Sequence, residues 1–260
     1  MGTAQVQGSL WGARARDYTN IVEGFMRPVY ERVFAEAGVG AGTKLLDVGC
    51  GPGLVAHLAA RRGALVSGLD AAEASVEIAR ERTPEGDFRV GEMEELPWPD
   101  NTFDVVTSFN AFQYAADLVS ALREARRVVR PEGRVAMVVW GRPEDCETVA
   151  TVTALSKLLP PPPPGAPGPF ALSAPGRVEG LLQQAGLVPL ASGEVDCSFE
   201  FPDLETGVRG HMSVGPAAAA IRQAGAEAVQ QAIAESLASF RMNGRGYCQR
   251  NRFRYVIAAA

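Results

Sequence analysis

Histidine is scarce in this chain, with two in 260 residues, His57 and His211. Cysteine is nearly as rare: Cys50, Cys146, Cys197 and Cys248 lie far apart and form no C-x-x-C pair. Together they give no support for a tetrahedral zinc cluster, so the thiols are expected to be reduced and partly buried, with no metal. Excess positive charge is missing too. Lys+Arg total 25 against 30 Asp+Glu, a formal charge of -5, which argues against nucleic acid or an anionic membrane as the main partner. A local basic patch near Arg241 to Arg254 is the exception. No charged-then-apolar leader opens the chain and no run approaches the ~18 apolar residues of a membrane span, so the expectation is a cytoplasmic protein. No repeat is visible. What is present, 47% hydrophobic and 21% charged residues, suits a full-sized α/β core with an elaboration.

The organising stretch is Leu45-Leu46-Asp47-Val48-Gly49-Cys50-Gly51-Pro52-Gly53. Lys44 to Val48 reads as a buried parallel strand, the glycines as a tight turn, and Leu54 to Arg62 as a helix. Strand, turn and helix make the first half of a βαβ unit, whose turn lies where such sheets hold ligands. Glycine is required because a Cβ would block positive φ and close approach of a ligand. A second strand, Leu65 to Leu69, ends in Asp70, at the distance where an acidic side chain grips a ribose.

Residues 1 to about 10 read as disordered, and Trp11 to Ala37 as two helices broken at Pro28. Beyond Asp70 come a helix Ala72–Arg82, a strand Asp87–Gly91, and the acidic run Glu92-Met93-Glu94-Glu95. Phe103–Phe109 is a fourth strand, Leu118–Val129 an amphipathic helix, Arg130-Pro131-Glu132-Gly133 its stop, and Arg134–Trp140 a fifth strand. Residues 143 to about 158 look helical, and Pro160 to Pro164 a stiff connector. Ser173-Ala174-Pro175-Gly176 caps a helix through Ala185, and Leu187–Phe201 is a strand. Asp203–Phe240 is helical with a break at Gly215-Pro216, and Phe253–Ile257 closes the sheet.

From Lys44 to Trp140 the order of these motifs resembles the class I S-adenosylmethionine-dependent methyltransferases, above all the ubiquinone/menaquinone (type 11) branch. The resemblance implies a Rossmann-like sheet, mostly parallel with an antiparallel closing strand, carrying helical cap insertions. It implies one domain over 1–260: lid helices 1–40, a cofactor-binding core 41–142, and substrate caps 143–172 and 202–250. S-adenosylmethionine is the implied cofactor. Trp11, Tyr18, Asp47, Gly49, Cys50, Gly51, Asp70, Ala71, Glu92, Met93, Phe109 and Asn110 are the implied cofactor residues. Trp11 and Tyr18 serve either as lid or as anchors of the first helix on the core. Tyr18, Phe112, Gln113, Tyr114, Trp140 and His211 are candidates for the substrate side, with a small molecule as partner and a homodimer allowed.

Methyl transfer from a sulfonium is an in-line displacement, so the protein mainly positions the acceptor and excludes water. Proton-bearing acceptors also need a base. Gln113 stands where many relatives carry histidine and has no basic nitrogen, which limits it to orienting. His211 is the remaining candidate for a base or orienter. The expected function is methylation of a small-molecule O, N or activated C, in secondary metabolism. The alternative is a cofactor-binding protein that catalyses a rearrangement or decarboxylation. A nicotinamide oxidoreductase is disfavoured by the G-x-G-x-G spacing. Arg142, Arg209, Arg245 and Tyr247 are further groups able to meet an acidic or phenolic substrate.

Overall fold

β1 (Lys44–Val48) is buried from its second residue onward and lies third in a seven-stranded sheet. β2 (Leu65–Asp70), β3 (Asp87–Val90), β4 (Phe103–Phe109) and β5 (Val129–Trp140) run parallel to it. β7 (Tyr247–Ala259) pairs antiparallel with both β5 and the edge strand β6 (Val188–Phe201). The order is β3-β2-β1-β4-β5-β7-β6, so the chain reverses its winding between β1 and β4. At such a switch the loops leaving two neighbouring strands diverge and open a crevice. This computed structural model describes residues 2–161, 168–244 and 246–260.

Side chains of both sheet faces are buried, as the apolar runs of β1 and β4 require. One face packs Val29, Val33 and Phe34 of the helix Arg27–Ala37 and Val55 and Ala59 of the helix Leu54–Ala60 against Leu45 and Val105. The other packs Leu122, Ala125 and Val128 of the helix Leu118–Val128 and Leu182 of the helix Arg177–Gln184 against Leu46, Val106 and Val135. A third core lies off the sheet, between the helices Val149–Ser156, Leu204–Met212, Gly215–Ala224 and Ala226–Leu237. Val229, Ile233 and Leu237 recur every four residues and are fully buried there. Each contributes on the order of 1.5–3 kcal/mol, enough to hold this helical layer as a rigid roof.

Several local expectations are corrected. Ala4–Trp11 is a helix, where disorder was expected. It has no buried residues of its own, so its sequence lacks the apolar periodicity that announces a packed helix. Pro28 opens the helix Arg27–Ala37 instead of breaking one, because a first-turn N–H has no intrahelical partner to lose. Ahead of it, residues 12–26 form short turns, including a π turn at Tyr18–Val22.

The Arg130-Pro131-Glu132-Gly133 stop is a bulge inside β5: Val129 pairs with Phe103, the register shifts, and Arg134 pairs with Val105. Gly133 is needed because a Cβ would stand 2.8 Å from the Asp104 carbonyl. The break at Gly215-Pro216 is the first turn of the next helix, and Gly225 adds a second break. The closing strand runs thirteen residues, not five. Residues 162–164 of the proline connector lie outside the described residues. No helix among the described residues is long and apolar enough to cross a membrane.

Candidate active site

The turn after β1 carries Gly49, Gly51 and Gly53 at φ of 76°, 51° and 81°. A Cβ on Gly49 would stand 2.1 Å from the Cβ of Ala111, so glycine alone lets this turn lie against the segment leaving β4. At Gly51 the same position is open space on the cavity wall. The turn is tied to β2: the amides of Gly49 and Cys50 donate to the Leu69 carbonyl at 2.7 and 3.0 Å. The Gly51 amide donates to Asp70 Oδ2 and the Ala72 amide to Asp70 Oδ1, each at 2.8 Å. Burial pushes the Asp70 carboxyl up, and the amides of Ala72, Gly51 and Ala71 pull it back.

A cavity of about 690 Å³ opens over this edge. Its floor holds Gly49, Gly51, Asp70, Ala71, Glu92, Met93, Phe109 and Asn110. One wall is the N-terminal segment, with Trp11, Tyr18 and Met26, and the roof brings Thr148, Thr151, Trp140 and His211. Glycine turn and roof histidine therefore line one chamber, although they are far apart in sequence. Tyr114 and Gln113 also line it, and Trp11 packs edge-on to Tyr18 and Tyr114, with ring centroids 5.9 and 5.6 Å apart.

Three expected site residues are not brought to the cavity. Phe112 is 1% exposed and packs in the core beneath the helix Leu118–Val128. Cys50 turns under the sheet, where a Cβ on Gly68 would stand 2.9 Å from its sulfur. Asp47 is 2% exposed and accepts from Thr107 Oγ1 at 2.7 Å. In each case the strand or turn alternation points the side chain inward, which spacing along the sequence does not reveal. Of the arginines, Arg142 pairs with Glu144 and Asp145, and Arg209 with Asp17. Arg245 lies outside the described residues.

Burial pushes the Asp47 carboxyl up to about 8, opposed by the Thr107 hydrogen bond and reinforced by Asp70 and Glu23. An unfolded aspartate titrates near ~3.9. Between those two values the folded chain holds a proton that the unfolded chain releases. Stability should therefore fall as pH rises through this window, by up to about 1.4 kcal/mol per pH unit. Asp47→Asn keeps the Thr107 contact and should remove that slope. Urea unfolding of both proteins at pH 5 and pH 8 checks it; equal pH dependence would refute it.

Two supports escaped sequence reasoning because nothing local marks them. Glu23, 4% exposed, accepts from the Leu54 amide at 2.9 Å and caps the helix that follows the glycine turn. Arg82 Nη1 bridges Glu23 Oε2 at 2.8 Å and the Pro52 carbonyl at 2.9 Å, clamping the turn from behind. On the open side, Glu92 Oε2 accepts from the Ala4 amide at 2.9 Å and Oε1 from the Met93 amide at 3.0 Å. The carboxylate therefore anchors the first helix at the cavity rim. Burial works against its ionisation, and the hydrogen bonds around it outweigh that, holding its pKa low; burial and the Glu92 neighbour push Glu94 up.

His211, on the helix Leu204–Met212, is 6% exposed. Its Nε2 lies 2.8 Å from Gln249 Oε1, and its ring packs 5.4 Å from that of Phe201. Burial lowers its pKa to about 4 against the Gln249 hydrogen bond, so the ring is neutral at pH 7.

The floor fits an adenosyl sulfonium. Gly51 leaves room for a ligand, and Asp70, at the end of β2, lines the same cavity with a carboxylate. Asn110, held at φ 53°, carries a buried Oδ1 with no partner among the described residues, an acceptor awaiting a donor. No group of three or more metal-ligating side chains occurs among the described residues.

Residues 46–137 match the family described as a methyltransferase domain. A malonyl acyl-carrier-protein O-methyltransferase from Serratia marcescens is 34% identical over 121 residues, 46% of this chain and 48% of that protein. The same enzyme from Erwinia pyrifoliae is 28% identical over 211 residues, 81% of this chain and 76% of that protein. In fold, the 4+2 cyclase SpnF superposes with a TM-score of 0.59 at 21% identity, covering 89% of this chain and 80% of that one. The chain spans about half the length of several curated relatives, 48% and 56% in two cases.

Proposed function

We propose, from the premise that residues 46–137 form a class I S-adenosylmethionine-dependent methyltransferase domain, that this chain transfers a methyl group to a small, mostly apolar molecule. The observation that carries the reading is the single chamber of about 690 Å³ running from the glycine turn to His211. That volume suits a cofactor and an acceptor lying end to end. Asp70, Asn110 and the Gly49–Gly51 turn would hold the cofactor, which when bound supplies an electrophilic methyl on a positively charged sulfur. Trp140, Phe199 and Phe201 give the acceptor end aromatic walls. The helix Ala4–Trp11 closes the rim and keeps water out.

His211 is the group placed to take a proton from the acceptor, because it is neutral and lines the roof. One relative is named for 27-O-demethylrifamycin SV in Amycolatopsis mediterranei, which supports a secondary-metabolite acceptor.

Isothermal titration of the full chain with S-adenosylmethionine and S-adenosylhomocysteine tests the cofactor half, and absence of binding to both in folded protein would end the reading. Product mass tests the other half. A gain of one methyl on a hydroxylated apolar probe supports transfer, whereas a converted probe with intact cofactor points to a rearrangement.

A further inference from the structure

Behind the roof of the cavity runs a row of polar side chains, half-buried at Ser236 and buried at Thr151, Gln249 and His211, whose donor and acceptor roles follow from one main-chain carbonyl. It starts at a main-chain carbonyl. Ser236 Oγ lies 2.7 Å from the Ile233 carbonyl, which only accepts, so the serine hydroxyl proton is committed there. Thr151 Oγ1 is 3.0 Å from Ser236 Oγ. With the serine proton already used, the threonine must donate and the serine accept. Gln249 Nε2 is 3.2 Å from Thr151 Oγ1, and it donates to the lone pair the threonine has left. The Glu147 carbonyl, 3.5 Å from the same Nε2, requires the same orientation of the carboxamide. Gln249 Oε1 therefore faces His211 Nε2 at 2.8 Å as an acceptor, and Thr148 Oγ1 donates to that oxygen from 3.5 Å.

We propose that the Ser236, Thr151 and Gln249 row is a positioning device that holds His211 with its proton on Nε2 and its Nδ1 lone pair free for a proton on the bound acceptor. Nδ1 has no hydrogen-bond partner among the described residues, and the ring lines the cavity. Neither Gln249 nor Ser236 borders the cavity, so both act through His211 and not on a ligand.

The inference rests on the methyl-transfer reading and narrows it to an acceptor that brings a neutral, removable proton, of which a hydroxyl is the simplest case. A bare Nδ1 accepts a hydrogen bond and offers none, so it has no use for an acceptor lacking a proton. The apolar surroundings disfavour a charged ammonium. The acceptor O–H bond breaks with its proton moving to Nδ1. Its oxygen lone pair forms the new O–C bond as the carbon–sulfur bond breaks, and that electron pair leaves on sulfur. The imidazolium then loses its proton to water.

The test reads the ring nitrogens directly and needs no acceptor. Uniformly ¹⁵N-labelled full chain at pH 7, with S-adenosylhomocysteine added, is compared with a His211→Gln sample that identifies the His211 signals among the two histidines. The wild type should show one neutral form, protonated on Nε2. Thr151→Val frees the Gln249 carboxamide to turn its NH₂ toward the ring. It should add a second set of signals protonated on Nδ1, and Thr151→Ser should restore the single form. Ser236→Ala, at the far end of the row, should shift the forms in the same direction in a variant whose thermal melt matches the wild type. A wild type protonated on Nδ1, a wild type charged at pH 7, or forms unchanged by Thr151→Val and Ser236→Ala would each overturn the proposal. Should the chain transfer no methyl group to any hydroxyl, the methyl-transfer reading falls, and the nitrogen signals still decide the positioning row.

Discussion

His211→Gln is expected to lower kcat for methyl transfer by about 10²–10⁴-fold, the usual contribution of a general base, while S-adenosylmethionine binds as before. Glutamine at this position can still donate to Gln249 Oε1, which preserves the hydrogen bond that the imidazole makes at 2.8 Å. It also roughly fills the space against the Phe201 ring. What it lacks is a basic nitrogen. The variant therefore separates proton transfer from packing, which alanine would not, since alanine would leave Gln249 Oε1 buried with only the 3.5 Å contact from Thr148 Oγ1. Titration with the cofactor and a steady-state assay on an acceptor identified by product mass check it together. A folded His211→Gln protein with an unchanged kcat would remove the base from the mechanism.

Asp70→Asn is expected to weaken S-adenosylmethionine binding by about 10- to 100-fold, or roughly 1.4–2.7 kcal/mol. Both carboxylate oxygens now accept main-chain amides, from Gly51 and from Ala72. An asparagine keeps one acceptor and turns an NH₂ toward the other amide, setting donor against donor. The glycine turn would have to move off the geometry that leaves Gly51 open, and the ribose would lose a charged partner. Because the change removes a carboxylate whose pKa burial pushes up, the variant should not lose stability in proportion to its loss of binding. Calorimetric titration of folded Asp70→Asn measures the effect, and wild-type affinity would place the ribose elsewhere.

The two sites differ in how openly the chain announces them. Asp70 is legible because strand, glycine turn and a second strand ending in an acid are consecutive, and backbone geometry allows few residue types at Gly49 and Gly51. His211 stood out only as one of two histidines. Its partner Gln249 and the Thr151 bonded to that glutamine lie on β7 and on the helix Val149–Ser156, the glutamine 38 residues beyond it, and neither type is unusual in its place. Asp47 shows the opposite failure. It sits in the recognised motif, yet the alternation of β1 turns it into the core, where Thr107 satisfies it. The helix Ala4–Trp11 was missed because it is held by long-range anchors, Glu92 at the Ala4 amide and Arg222 at Ser9.

By itself the sequence determined the doubly wound sheet, the position of its glycine turn and the acid at the end of β2. These follow from local alternation, glycine dihedrals and the short reach of consecutive elements. Tertiary structure alone decided which side chains face the chamber, that a terminal helix closes its rim, and which ring nitrogen of His211 is left bare. Such features depend on donors and acceptors meeting across separate elements, and a hydrogen bond between residues 100 apart leaves no periodicity in the chain that makes it.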